Sequence, residues 1–202
     1  MPTILFDFDS TLITCESLEE VLKAKGVKRG LLEELTRQGM EGKIPFLESL
    51  RARMQMAPLS AEDFVKFGKI AKELLSPGME ALIFELKNEG VDIWISSSAF
   101  NEVIFPVAEK LNIPSDHVIG LNFSGPYLNK LEAVEHLHPR WAFPRILVGD
   151  GITDYEIYEE GLVDYFIAYT ENVRRDAVIE KGVIEAKSVF ELKGEIRRMI
   201  DG

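Results

Sequence analysis

The sequence predicts an α/β fold: a Rossmann-like, doubly wound parallel sheet with a small helical cap domain. Three observations lead there. Short runs that are apolar at consecutive positions alternate with amphipathic stretches, the pattern of parallel strands covered on both faces by crossover helices. One interval, Glu16 to Leu75, breaks this rhythm with helix after helix and no strand candidate. The 202 residues also slightly exceed what one plain α/β core needs.

The elements follow in order. Thr3–Phe8 is the first strand, and the cap spans residues 16–75, set into a core made of residues 1–15 and 76–202. Pro77-Gly78 punctuates the end of the insertion, after which Met79–Asn88 reads as the crossover helix leading to a second strand at Val91–Ser96. A right-handed crossover carries such an insertion at little topological cost, because both ends leave and re-enter at one edge of the core. Helix Phe100–Leu111, a weaker strand at Val118–Phe123 and helix Leu131–His136 come next. Strand Arg145–Val148, helix Tyr155–Glu160, strand Asp164–Ala168 and helix Val173–Glu180 follow, then a weak strand at Gly182–Glu185 and a final helix at Val189–Ile200.

Hydrophobic residues at 46% and charged residues at 28% are ordinary for a soluble globular chain, and no apolar run approaches the ~18 residues of a membrane span. The 34 acidic against 23 basic residues give a net charge of −11, which repels phosphate backbones and anionic lipid. Neither nucleic acid nor a membrane is an expected partner. Cys15 is the sole cysteine, and the start MPTILFDFDS lacks the basic region and cleavage site of a signal peptide, so a reducing, cytoplasmic compartment is expected.

The chemistry gathers at strand ends. Asp7 and Asp9 lie two residues apart at the end of the first strand, where alternation would project both to one side. Open α/β sheets bind ligands outside the carboxyl ends of their strands. An Asp-x-Asp alone is more often a pair of solvated acids, but other strand ends carry matching groups: Ser96-Ser97-Ser98, and Gly149-Asp150-Gly151 followed by Thr153 and Asp154. Carboxylates ~4 Å apart repel by about 4 kcal/mol per pair at an effective dielectric of about 20, so such a cluster needs a cation. All-oxygen ligands favour a hard ion, and Mg²⁺ suits a site that also admits phosphate. The serines read equally as the start of a helix, whose free N–H groups form an anion site. Gly149 and Gly151 read as turn residues or as places of close backbone approach. Lys130 alone would be an ordinary surface lysine.

Taken together, DFDST at 7–11, SSAF at 97–100, Lys130 and GDGITD at 149–154 resemble, in order and character, the four motifs of the haloacid dehalogenase superfamily. Within it the chain is similar to the phosphoserine phosphatases, and the likeness extends through MEGKIPFLESLRAR in the cap to the tail 164–192. The resemblance implies a haloacid dehalogenase-like core and a Mg²⁺-dependent phosphomonoester hydrolase. It implies Asp7 as the nucleophile that becomes an aspartyl phosphate, Asp9 as acid/base, and Ser97 and Lys130 as phosphate-binding groups. Asp7, Asp9, Asp150 and Asp154 would surround the metal. In the cap, Glu16 would meet a substrate ammonium and Arg53 its carboxylate, with Met40 and Phe46 as apolar walls. Ser98-Ala99 replaces the usual Gly-Gly and narrows the pocket, Thr153 stands where many members carry Asn, and the short stretch between Phe100 and Lys130 implies a trimmed hairpin.

The expected partner is a small phosphomonoester, and the chain is expected to be a monomer or homodimer. Two alternatives stay open at this point: transfer of the phosphoryl group to an acceptor such as homoserine, or to water from another small metabolite, and, more remotely, a receiver-like signalling module, which would lack a cap. His117, His136 and His138 lack zinc-ligand spacing. Cys15, Trp94 and Trp141 read as packing residues, and the pairs Arg174-Arg175 and Arg197-Arg198 as solvated helix charges.

Overall fold

A computed structural model describes residues 1–125 and 130–202. In chain order its elements are β1 (Thr3–Phe6), α1 (Ser17–Ala24), α2 (Arg29–Met40), α3 (Phe46–Met54), α4 (Ala61–Ala71), α5 (Met79–Asn88), β2 (Asp92–Phe100), α6 (Asn101–Lys110), β3 (Val118–Leu121) and α7 (Lys130–Leu137). Then come β4 (Arg145–Gly149), α8 (Ile152–Glu159), β5 (Tyr165–Tyr169), α9 (Asp176–Ile179), β6 (Ile184–Ala186) and α10 (Val189–Asp201). Residues 126–129, where part of the trimmed-hairpin expectation falls, lie outside the described residues.

Among the described residues six strands form one parallel sheet in the order β3-β2-β1-β4-β5-β6. The chain winds outward from β1 in one direction and, from β4, in the other. The crevice beside β1 is therefore the topological switch point, where the loops leaving adjacent strands diverge and open a binding cleft. Strand alternation divides the core between the two faces. Ile4, Phe6, Ile93, Ile95, Ile146 and Val148 join the larger cluster, while Leu5, Trp94, Leu147 and Phe166 join the smaller one. Trp94 packs edge-on against Trp141 at 5.5 Å and stacks on His117 at 4.3 Å, so these aromatics serve packing.

Helices α1–α4 all fall between β1 and α5. Their apolar faces, through Leu18, Leu22, Leu32, Leu50 and Phe64, merge into the larger core cluster. Phe64 of α4 packs on Phe100 at the end of β2, with ring centroids 4.5 Å apart. The chain enters and leaves this insertion side by side. Ile13 bridges Leu75 in antiparallel fashion, Thr14 N–H donates to Leu74 O at 2.9 Å, and Ser76 Oγ donates to Thr11 O at 2.7 Å.

Three local departures from the sequence expectation all bear on the site. β1 stops at Phe6, because the chain turns sharply through Ser10, whose φ of 55° lies in the left-handed region. β2 continues past Ser96 to Phe100, so Ser97 and Ser98 belong to a strand and not to a helix start. α9 begins only at Asp176, leaving Arg175 extended. Arg197 is also better paired than a solvated helix charge, joining α10 to α5 through Glu85 at 2.9 Å and through Glu89. Among the described residues no helix is long and apolar enough to cross a membrane.

Candidate active site

Asp7 is the first residue beyond β1, and its N–H still donates to Val148 O of β4 at 2.8 Å. That bond sets its side chain beside the loop leaving β4. There Asp7, Asp150 and Asp154 each offer a carboxylate oxygen, all lying within 4.8 Å of one another, and all three residues are buried. Gly149 makes this approach possible, since a Cβ there would collide with the Asp154 carboxylate. Lys130 reaches in from the start of α7, donating to Asp7 Oδ1 at 3.0 Å and to Asp154 Oδ1. Asp154 is further fixed by Gly151 N–H, which donates to its Oδ2 at 3.1 Å.

The fourth expected metal ligand, Asp9, is not in this group. Two-residue alternation requires a strand, and the strand has ended before Asp7, so the Asp9 side chain turns toward the insertion. There its Oδ2 accepts from Ser17 Oγ at 2.8 Å, while Oδ1 has no hydrogen-bond partner among the described residues. Burial raises the Asp9 pKa well above the ordinary carboxylate value, helped by repulsion from Glu16 and Asp7.

Ser97 and Ser98 sit on a bulge of β2. Ser96 pairs with Ile119 and Phe100 with Leu121, so three residues of β2 face a single residue of β3. This releases the backbone of residues 97–99 from the ladder at the sheet's carboxyl edge, and Ser97 Oγ accepts from Ala99 N–H at 3.1 Å. Donors at that edge therefore come from a bulged strand end, in place of the anticipated helix terminus.

Above these groups lies a cleft lined from the core by Asp7, Asp9, Ser97, Ser98 and Thr153 and from the insertion by Glu16, Met40, Phe46 and Arg53. Met40 reaches the core at Gly151, where a Cβ would lie 2.6 Å from its Cε. Arg53 is 4% exposed and commits Nη1 to Thr36 Oγ1 at 3.1 Å and Nε to Ser49 O at 3.4 Å. Burial lowers its pKa, against the pull of Glu16, Glu19 and Asp9.

Arg175 is the residue that sequence reasoning missed. It is 5% exposed; its Nε donates to Asp150 Oδ2 at 2.6 Å and its Nη2 to Glu16 Oε1 at 2.9 Å. Only Arg174 of that pair faces solvent, bound to Glu185 at 3.1 Å. A signal was present: five acids against Lys130 and Arg53 leave charge to neutralise, and a basic pair after a strand end was available to do it. Ser10 supports the same carboxylate, its Oγ donating to Glu16 Oε1 at 2.8 Å.

The electrostatics favour a cation. Burial pushes Asp150 up to about 8, with Arg175 opposing and Glu16, Asp7 and Asp154 adding to the rise. Asp154 is pushed up to about 6 by burial, against Lys130. Lys130 itself loses solvation on burial, yet Asp154 and Asp7 outweigh that and raise its pKa. Asp150 Oδ1 is buried with no hydrogen-bond partner among the described residues. A converging set of carboxylate oxygens with one lone pair unspent is a donor set that fits a hard divalent ion.

The comparisons with known proteins agree with this geometry. A family model described as haloacid dehalogenase-like hydrolase matches residues 4–159. Human phosphoserine phosphatase is 30% identical over an alignment covering 96% of this chain and 92% of that protein. The chloroplastic phosphoserine phosphatase of Arabidopsis thaliana is also 30% identical over 87% of this chain, which spans 65% of that relative's length. A phosphoserine phosphohydrolase-like protein from Francisella tularensis superposes with a TM-score of 0.87 and 36% identity, covering 97% of this chain and 100% of that one. The order of the strands, the convergence of Asp7, Lys130, Asp150 and Asp154 at the switch point, and the match over residues 4–159 place the chain in the haloacid dehalogenase-like hydrolase family.

Proposed function

We propose that the chain is a Mg²⁺-dependent phosphatase that hydrolyses O-phosphoserine through an aspartyl phosphate on Asp7. The observation that carries this reading is the position of Asp7, which lines the cleft while contacting Lys130 and belonging to the buried three-carboxylate group. A Mg²⁺ ion held by Asp7, Asp150 and Asp154 would supply the positive charge that lets an anionic nucleophile approach an anionic phosphoryl group.

The remaining work falls to the protein's own side chains. Lys130 offsets charge on Asp7, while Ser97 and the N–H groups of the β2 bulge hold phosphoryl oxygens. A carboxylate oxygen of Asp7 forms the new bond to phosphorus as the ester oxygen departs, and that oxygen takes the proton of Asp9. Asp9 is suited to donate, because burial and its acidic neighbours favour the protonated form and Oδ1 is unspent. In the second step Asp9 takes a proton from water, whose oxygen attacks phosphorus and releases phosphate and free Asp7.

Substrate choice lies with residues 16–75, the cap in this reading. Arg53 keeps donors in reserve beyond its two contacts with Thr36 and Ser49 and suits a carboxylate, while Glu16 suits an ammonium. Met40 and Phe46 wall the space between, and Ser98 and Thr153 narrow its floor. The cleft enclosed by the insertion favours turnover of a small metabolite over the receiver alternative. The same reading takes the protein as a cytoplasmic monomer or homodimer. Phosphate release from a panel of phosphorylated metabolites, with Mg²⁺ and then with chelator, and with and without an acceptor alcohol, tests it: O-phosphoserine is expected to have the highest kcat/KM, only with Mg²⁺. Preference for another phosphomonoester would displace the substrate, and phosphoryl transfer to the alcohol would displace hydrolysis.

A further inference from the structure

Two carboxylates with different tasks are held by one guanidinium. Asp150 belongs to the carboxylate group below the cleft, and Glu16 lies at the mouth of the insertion, immediately before α1. Arg175 binds both, through Nε to Asp150 Oδ2 and through Nη2 to Glu16 Oε1. It uses one oxygen of each. The other oxygen of Asp150 is buried and unpaired among the described residues, and on Glu16 both Arg175 and Ser10 fall on Oε1, which leaves Oε2 for a ligand. The segment that carries Arg175 is itself fastened to the neck of the insertion, because Asn172 Nδ2 donates to Ser10 O at 3.0 Å and to Ser76 Oγ at 2.7 Å.

From this geometry we infer that Arg175 is a positioning residue that couples the cation site to the ammonium site. It turns the free oxygen of Asp150 toward the metal position and the free oxygen of Glu16 toward the cleft, so that occupancy of either site steadies the other. A planar fork fixes the directions of its donors toward the two carboxylates, whereas the rotatable ammonium of a lysine leaves those directions free. The Glu16 half rests on the phosphoserine reading above, and the Asp150 half rests only on the carboxylate group.

The sign of one measurement separates this role from that of a simple counter-ion. A counter-ion competes with the metal for Asp150, so its removal would tighten Mg²⁺ binding; removal of a positioning group loosens it, typically 10–100-fold. The full chain and its R175Q and R175K variants are titrated with Mg²⁺ by calorimetry, after thermal unfolding confirms that each is folded. The expected result for R175Q is a Mg²⁺ Kd weakened about 10-fold or more, and KM for O-phosphoserine rising by a larger factor than KM for phosphoglycolate, which lacks the ammonium. R175K keeps the charge and guards against a misfolded R175Q; it is expected to bind Mg²⁺ more weakly than wild type. Unchanged or tighter Mg²⁺ binding in the folded variants overturns the inference, and equal KM changes for both substrates overturn the coupling to Glu16. Wild-type protein that binds Mg²⁺ but leaves O-phosphoserine intact overturns the substrate reading and the Glu16 half with it, while the Mg²⁺ titrations still decide the Asp150 half.

Discussion

Replacing Lys130 with methionine keeps much of its volume and removes its charge from a site with little water. The Lys130 side chain is 1% exposed, that of Asp7 5%, and the contact between them is 3.0 Å. At that distance and an effective dielectric of about 20, Coulomb's law gives an attraction of about 5.5 kcal/mol, part of which offsets the desolvation of both groups. Asp154, also bound to Lys130, is fully buried. Breaking a buried pair by removing one partner costs about 3–5 kcal/mol. At about 2–4 °C per kcal/mol for a chain of this size, K130M should melt roughly 6–20 °C below wild type in chelator at pH 7.5. The assay is thermal unfolding followed by circular dichroism. Two changes of condition should narrow the gap: saturating Mg²⁺, which neutralises the stranded acids, and pH 5, where Asp154, already pushed up to about 6 with Lys130 in place, takes up a proton. A melting point within about 2 °C of wild type in chelator at pH 7.5 would refute the reasoning.

The other predictions concern turnover, pH and metal. D7N should reduce phosphate release to background while leaving the far-ultraviolet spectrum intact; measurable multiple turnover would remove Asp7 as nucleophile. Because burial raises Asp150 to about 8 and Asp154 to about 6, the folded chain holds protons that the unfolded chain has already released above about pH 4. Their contribution to stability is therefore lost as pH rises, and the melting point in chelator should fall between pH 5 and about 8.5; a rise over that window would contradict the assignment. Mg²⁺ at about 100 times its Kd should add about 2.7 kcal/mol, roughly 5–11 °C in a melting scan at pH 7.5. No shift would argue against a cation site among these carboxylates. G149A should weaken Mg²⁺ binding in calorimetry, because its Cβ collides with the Asp154 carboxylate, whereas the Cβ of G151A would clash with the flexible end of Met40 and lie in ordinary contact with Asp154, so that this variant should alter KM more than the melting point.

Much of the fold was legible because its signals are local. β4 and β5 are apolar at consecutive positions, as strands buried on both faces must be, and α5 was readable to the residue once Pro77-Gly78 marked the end of the insertion before it. Illegible were the places where tertiary contacts override local pattern. β2 overran its apolar stretch because β3 offers a partner as far as Phe100. β1 fell short because Ser10 takes a left-handed turn, held by Asn172 and Cys15. In the cleft, Asp7, Asp150 and Asp154 were readable from strand ends and Lys130 only from the family resemblance, whereas the orientation of Asp9 depended on where β1 stops.

The amino-acid sequence by itself determined the order of strands and helices, the long helical insertion and the placing of acids, serines and glycines at the carboxyl ends of β1, β2 and β4. These follow from periodicity and from the chemistry of single residue types, both of which act over a few positions. Only the tertiary structure decided which acids converge and which basic side chain pairs with them. Arg175 is 25 residues from Asp150 and 159 from Glu16, and two charges far apart in sequence leave no local pattern behind. Such a pair forms because gathering five carboxylates in one place, three of them buried, demands compensation from whatever basic side chain the fold brings within reach.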